Sequence, residues 1–252
     1  MRARLKDQAF LIKTSPYSDS SLIIKAFARQ HGLLSILAKG IRKKPEASLL
    51  SPLCVYEFSF YEPRESGLCL LAEFSLSEEV DLAARIECWT AAECALELYS
   101  QLLIPTEESS AWFDLLRDYI IYLSSVEKNA VLIWWRFLLR VFRMLGVPFD
   151  PRLCSGCQGC ANALTAWDKG GGQLFCAQCL DAWPDPDRFE PLNPLSARIL
   201  RLLPEIGGHL SSLSPDRASV AQLNRIFSSH YQAHFHKTLA LRSLEVLEQF
   251  YS

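Results

Sequence analysis

The sequence predicts an α+β, multidomain chain: a small N-terminal β-barrel followed by an α-helical domain, with a four-cysteine metal module inserted in the latter. Three observations predict this. Short runs of alternating apolar and polar residues fill roughly the first eighty positions, the apolar period changes from two to 3.6 after Glu78, and two Cys-x-x-Cys pairs stand eighteen residues apart late in the chain. The expected boundaries are 1–79 for the barrel and 80–252 for the helical domain, with the metal module at 150–184.

The strands come first. Gln8 to Thr14, Ser21 to Ala28 and Leu33 to Lys39 are β-rich runs, the last two joined across Gln30-His31-Gly32 as a hairpin. Leu53 to Tyr61 alternates, Val55, Glu57, Ser59 and Tyr61 pointing one way and Tyr56, Phe58 and Phe60 the other. Glu62 to Gly67 turns the chain into a fifth run, Leu68 to Phe74. Five strands in so short a span predict a closed barrel, and the oligonucleotide-binding (OB) fold is the commonest of that size.

Charge is concentrated in this part. Residues 1–45 hold ten Lys and Arg against Asp7 and Asp19, a local charge of +8, so a chain whose net charge is −2 carries −10 elsewhere. A basic binding module fused to an acidic scaffold has this pattern. The densest stretch, Lys39-Gly40-Ile41-Arg42-Lys43-Lys44, connects the third and fourth strands, so Lys39, Arg42, Lys43 and Lys44 are the candidate phosphate contacts, with Lys25 and Arg29 as neighbours. A solvated face that binds nothing is the competing explanation.

Three helices follow. Leu82, Ile86, Trp89, Leu96 and Leu103 mark one stopped by Pro105; Trp112, Leu115, Leu116, Tyr119 and Leu123 mark a second; a third spans Asn129 to Leu145 and is closed by Gly146 and Pro148. On the third, Arg136, Arg140 and Arg143 share a face at i, i+4, i+7, either as a solvated stripe or as a receptor for an acidic peptide.

The metal module rests on Cys154, Cys157, Cys176 and Cys179. Each Cys-x-x-Cys pair turns two thiolates toward one point, and a loop of this length, with its turn at Asp168-Lys169-Gly170-Gly171-Gly172, brings the second pair round to complete a tetrahedron for structural zinc. Cys160 is close enough to replace Cys157 as a ligand. Disulfides or simple burial are the alternatives, but nine cysteines is an odd number, and no apolar signal segment follows Met1. A cytoplasmic, reducing location is therefore expected. Four protein ligands leave zinc no open position, which makes it a staple rather than a reagent.

Beyond a proline-containing linker (Pro184, Pro186, Pro191), Asn193-Pro194 starts a helix ending near Pro204, Ser214-Pro215-Asp216 starts a longer one with Leu223, Ile226, Phe227 and Tyr231, and Lys237 to Tyr251 is expected to be helical. Gly-x-Ser-x-Gly, a phosphate-binding loop and Gly-x-Gly-x-x-Gly are all absent, and no His-x-Glu accompanies the cysteines as in nucleobase deaminases. His230 and His234 have ligand spacing, yet Tyr231 occupies the place of a peptidase glutamate, so both are expected to be partly packed surface histidines. The longest apolar run, Ala130 to Trp135, is far short of the roughly 20 residues that span a bilayer. An enzyme is not expected.

Beyond these readings, Gln8-Ala9-Phe10-Leu11-Ile12-Lys13 through Tyr17-Ser18-Asp19-Ser20-Ser21, then His31-Gly32, Ala38-Lys39-Gly40, Gly172-Gln173-Leu174-Phe175-Cys176-x-x-Cys179 and Leu239-Ala240-Leu241-Arg242-Ser243-Leu244, in this order, resemble the RecO family of recombination mediators over nearly the whole chain. The resemblance implies a bacterial, cytoplasmic protein, nucleoid-associated during repair, that binds single-stranded DNA, with double-stranded DNA a further candidate. It implies annealing of complementary strands and, with RecR, loading of RecA onto DNA coated by single-stranded-DNA-binding protein. The acidic C-terminal tail of that coating protein is the candidate ligand of Arg136, Arg140 and Arg143. The alternative is a generic zinc-containing OB-fold adaptor for RNA or DNA outside recombination.

Overall fold

Alternating strands need a common interior, and closing the sheet on itself supplies one. In the computed structural model, which describes residues 3–63, 67–82, 84–159, 163–181 and 185–251, β1 (Arg4–Pro16), β2 (Leu22–Ala28), β3 (Gly32–Ala38), β4 (Val55–Tyr61) and β5 (Cys69–Glu78) form a closed barrel in the order β1-β2-β3-β5-β4. The long β1 serves two neighbours. Its first part pairs antiparallel with β4 and its second part with β2, with a shift of register between Leu11 and Lys13 where it bends from one to the other. Closure is completed by a short parallel contact of β3 with β5 at Ile36 and Leu37.

Side-chain size is distributed to fill this small interior. Ala9, Ala26, Ala28 and Ala38 come from β1 to β3, whereas Tyr56, Phe58 and Phe60 come from β4, as the alternation predicts. The Tyr56 ring lies 5.5 Å from Phe58 and 5.9 Å from Phe74 of β5. Small residues on one wall thus make room for aromatic residues on the other.

The outside of the barrel is not all solvated. Phe10 and Phe27 point away from the interior yet are fully buried, because Phe10 meets Phe113 at 5.0 Å and Phe27 meets Tyr99 at 5.0 Å. These partners belong to α1 (Ile86–Tyr99) and α2 (Ser109–Leu123), which join the barrel in one compact unit, residues 1–125. The expected apolar stripe on the first of these helices needs correction. Ile86 is 60% and Leu103 88% exposed. Leu82 and Leu96 are buried as expected, and the rest of the buried face combines the small residues Cys88, Ala91, Ala92, Cys94 and Ala95 with Leu98 and Tyr99.

At the β2–β3 turn, the carboxylate of buried Asp7 accepts from the backbone N–H groups of Gln30 (2.9 Å) and His31 (3.1 Å) and from His31 Nδ1 (2.7 Å). Gly32 takes φ of +65° there, where a Cβ would stand 2.9 Å from Ser109 Oγ. The Asp7 bonds anchor the hairpin tip to β1, and the missing Cβ of Gly32 lets the tip approach the start of α2.

The second unit covers residues 126–252. Its centre is α3 (Ala130–Met144), whose Trp134, Trp135 and Phe142 are fully buried. The module follows, with β6 (Leu164–Asp168), β7 (Leu174–Cys176), α4 (Ala177–Leu180) and β8 (Phe189–Pro191) forming a three-stranded sheet in the order β7-β6-β8 beside the short helix. Next come α5 (Pro194–Leu202), capped by the Asn193 side chain, and α6 (Arg217–Phe235), opened by a reciprocal Asp216–Ser219 capping box. Trp135 Nε1 donates to Asn224 Oδ1 at 2.7 Å, tying α3 to α6.

Two expectations for this unit are corrected. The last helix, α7, spans only Arg242–Glu248 before a final 3-10 turn, because His236 ends α6 in a left-handed conformation and the chain then extends to bury Leu239 and Leu241. His230 is no surface residue. It is 5% exposed, and its Nε2–H donates to the Val147 carbonyl at 2.9 Å. Among the described residues, no helix is long and apolar enough to cross a membrane.

Candidate metal centre and nucleic-acid interface

Backbone geometry brings the four predicted cysteine sulfurs together. Cys154, Cys157, Cys176 and Cys179 place all four Sγ atoms within 4.8 Å of one another. The first knuckle is shaped by Gln158, in the left-handed region with its N–H on the Cys154 carbonyl (2.8 Å), and it docks on β7 through Ser155 N–H to the Leu174 carbonyl (2.8 Å). The second knuckle begins at the end of β7 and turns on α4. Gly156 is the point of closest approach, since a Cβ there would lie 2.8 Å from Cys179 Sγ. Cys160, the alternative ligand, lies outside the described residues. Cys54, Cys69, Cys88 and Cys94 are buried thiols away from this cluster.

The chemistry of this donor set fits a cation. Burial alone would raise the Cys154 thiol, but backbone N–H groups of Cys157, Cys176 and Gly156 donate to its sulfur and bring it down to about 6. Cys179, sharing hydrogen bonds with Cys154 and Cys176, is pushed up to about 12. Four convergent thiols cannot all ionise by themselves, and a divalent ion among them removes that conflict. The β6–β7 turn is secured separately: Arg188 clamps buried Asp168 with two bonds of 3.0 and 2.8 Å, and of the three glycines only Gly172 takes positive φ.

The predicted basic connection is built as a plug. Gly40 (φ +69°) starts a 3-10 turn at Ile41–Lys43, and Ile41 drops into the barrel core, with partly buried Ala47 and Leu50 packed against it farther along. Anchoring Ile41 leaves Lys39, Arg42, Lys43 and Lys44 outside, all exposed. The plug is also bonded to the β1–β2 turn. Arg42 donates its backbone N–H to the Ser20 carbonyl (3.0 Å) and Nη1 to the Ser18 carbonyl (2.9 Å), and Gly40 N–H meets Ser21 Oγ at 3.3 Å.

The other cations of this unit have different surroundings. Arg4 pairs with Glu73, Lys6 with Glu57 at 2.6 Å and Arg29 with Asp114 at 3.0 Å. Arg29 also lies over the Phe113 ring. Lys25 is half-buried and donates Nζ–H to the Ser100 carbonyl at the end of α1 (3.0 Å); burial, then the charge of neighbouring Lys13, lower its pKa. Among the described residues, no carboxylate lies within ion-pair distance of Lys39, Arg42, Lys43 or Lys44. The structure thus groups these four and sets Lys25 and Arg29 against the helices. On α3, Arg140 and Arg143 are exposed and Arg136 half-buried along one face, as the spacing predicts.

Sequence reasoning passed over two residues: Gly156, hidden because glycine between ligand cysteines reads as ordinary turn chemistry, and Arg188, twenty residues from its partner with no periodic signal to link them.

The chain is similar to known proteins over most of its length. Residues 1–79 match the family model described as recombination protein O N terminal, and residues 84–245 the one described as recombination protein O C terminal. A protein of Frankia casuarinae named DNA repair protein RecO is 25% identical over 97% of this chain and 98% of its own length. The proteins of the same name from Bacillus velezensis (25% identical, 98% and 95% covered) and Myxococcus xanthus (27%, 90% and 92%) are similar to it as well.

Proposed function

Because the chain belongs to the RecO family of DNA repair proteins, we propose that it is a recombination mediator that binds single-stranded DNA through the plug of its barrel. The observation that carries this reading is the set of four exposed cations, Lys39, Arg42, Lys43 and Lys44, without carboxylate partners among the described residues, on a loop anchored by Ile41. A cation already neutralised by a carboxylate releases few counterions when a phosphate arrives, whereas a free one releases its full share. Lys25 and Arg29 stand at the margin of this footprint. Phosphate contacts carry no base information, so any sequence is bound, and duplex DNA is held by the same charges.

Annealing then needs no reacting group. Lysines that screen two strands from each other while leaving bases uncovered bring complementary strands within pairing distance. In the family's role the protein works with RecR to load RecA onto DNA coated by single-stranded-DNA-binding protein, and we assign the acidic tail of that protein to Arg136, Arg140 and Arg143. Cys154, Cys157, Cys176 and Cys179 would hold zinc, which supplies folding energy to the module and has no open position for chemistry. A bacterial cytoplasmic site of action, at the nucleoid during repair, follows from this role.

The deciding experiment is annealing of complementary oligonucleotides coated with single-stranded-DNA-binding protein. The full chain accelerates annealing, and Lys39/Arg42/Lys43/Lys44→Ala abolishes the acceleration. A quadruple variant that binds and anneals normally would place the activity elsewhere, and tighter binding to RNA than to DNA of equal length would favour a role outside recombination.

A further inference from the structure

We propose that Tyr17 is a stacking platform for an unpaired nucleobase, so that the plug's preference for single strands comes from this ring and its grip from the neighbouring lysines. The inference rests on the phosphate-binding reading above and adds a contact of different chemistry. Tyr17 directly follows β1 and, at 59%, is the most exposed aromatic residue among the described residues. A tyrosine held in water forgoes a large burial energy, and its flat face remains available to a partner.

The ring springs from a rigid turn. Tyr17 N–H donates to the Ser21 carbonyl at 3.0 Å, Ser18 N–H reaches the same oxygen at 3.5 Å, and Ser21 is itself buried. Three bonds, from Gly40 N–H, Arg42 N–H and Arg42 Nη1, fasten this turn to the cationic plug. Arg42 is therefore a positioning residue as well as a charge, because the atom that could reach a phosphate also holds the carbonyl next to Tyr17. The β1–β2 loop is one of the two loops by which barrels of this topology commonly meet oligonucleotides. In a duplex each base face is covered by its neighbours, so only an unpaired or unstacked base can lie on the ring, whatever its identity.

The test compares a thymidine oligonucleotide with a tetrahydrofuran-abasic strand of equal length, by fluorescence anisotropy on the full chain. The wild type binds the base-bearing strand about tenfold more tightly, the order expected for one stacked base. Tyr17→Ala removes that difference and leaves both the abasic affinity and the salt dependence intact, while Tyr17→Phe retains it. Matching melting temperatures show that the exposed substitutions leave the fold unaltered. Equal affinity of the wild type for both strands, or a Tyr17→Ala protein that still separates them, overturns the inference. Failure of the phosphate reading looks different: abasic affinity would then be insensitive to salt and to Lys39/Lys43/Lys44→Ala.

Discussion

Gly156 and Cys179 touch so closely that any side chain at 156 would stand 2.8 Å from the Cys179 sulfur. Two cysteine knuckles therefore converge only because one of them lacks a Cβ at its crown. Gly156→Ala should weaken metal binding by at least about tenfold with all four cysteines intact, in the range seen when groups supporting ligands are changed. Competition against a chromophoric zinc chelator measures this, and unchanged affinity would show that the knuckles can move apart at no cost.

The salt dependence of strand binding should report the plug alone. With Lys39, Arg42, Lys43 and Lys44 each neutralising a phosphate, log affinity falls against log salt with a slope of about −3, and Lys39/Lys43/Lys44→Ala brings it to about −1. Lys25→Ala should leave the slope nearly unchanged, because its half-buried ammonium is held by the Ser100 carbonyl and would have to give up that bond to reach a phosphate. A slope that drops as much for Lys25→Ala as for Lys43→Ala would contradict the division of cations drawn here.

Acid should loosen the second unit through His230. Burial lowers its pKa from the ordinary 6.5, the bond to the Val147 carbonyl opposes this, and the charge of His234 adds to it. The unfolded state then binds a proton more readily than the folded one, so the stabilisation is complete above about 6.5 and is lost as pH falls from there through the folded value. Urea midpoints at pH 7.5 and 5.5 should diverge less for His230→Gln than for the wild type. Identical divergence would assign the effect to other groups.

Gly172 is closely confined by backbone atoms. At φ +66° a Cβ would lie 2.3 Å from the Ile226 carbonyl oxygen and 2.8 Å from His230 N, so the module's hairpin sits directly on the α6 backbone. Gly172→Ala should destabilise by about 2–4 kcal/mol, combining left-handed strain with a clash against backbone that cannot swing aside. Chemical denaturation checks it, and Gly170→Ala, where φ is negative and the nearest atom is 3.6 Å away, serves as the mild control.

The barrel strands were legible because a half-buried strand must alternate: Tyr56, Phe58 and Phe60 announce the interior before any coordinates exist. The cysteine cluster was legible because ligand spacing is a short-range property. What spacing does not carry is distance across the fold. Nothing around Phe27 says that Tyr99 will cover it, and nothing near Arg29 says that Asp114 will neutralise it. Charge counted along the chain treats all ten N-terminal cations alike, whereas three of them meet carboxylates from β4, β5 and α2. For the last helix, the apolar spacing of Leu239 and Leu241 fits a buried extended segment as well as a helical face, and left-handed His236 decides between them.

Closure of the five strands has a consequence for how other molecules can approach. Since β1 joins both β2 and β4, and β3 reaches β5 at Ile36 and Leu37, the main chain at that seam is already paired. An incoming extended peptide or a second copy of the chain would have to displace β5 to pair with β3 at Ile36 and Leu37. At that seam recognition runs through side chains and connecting turns instead, and edge-to-edge self-association is opposed there.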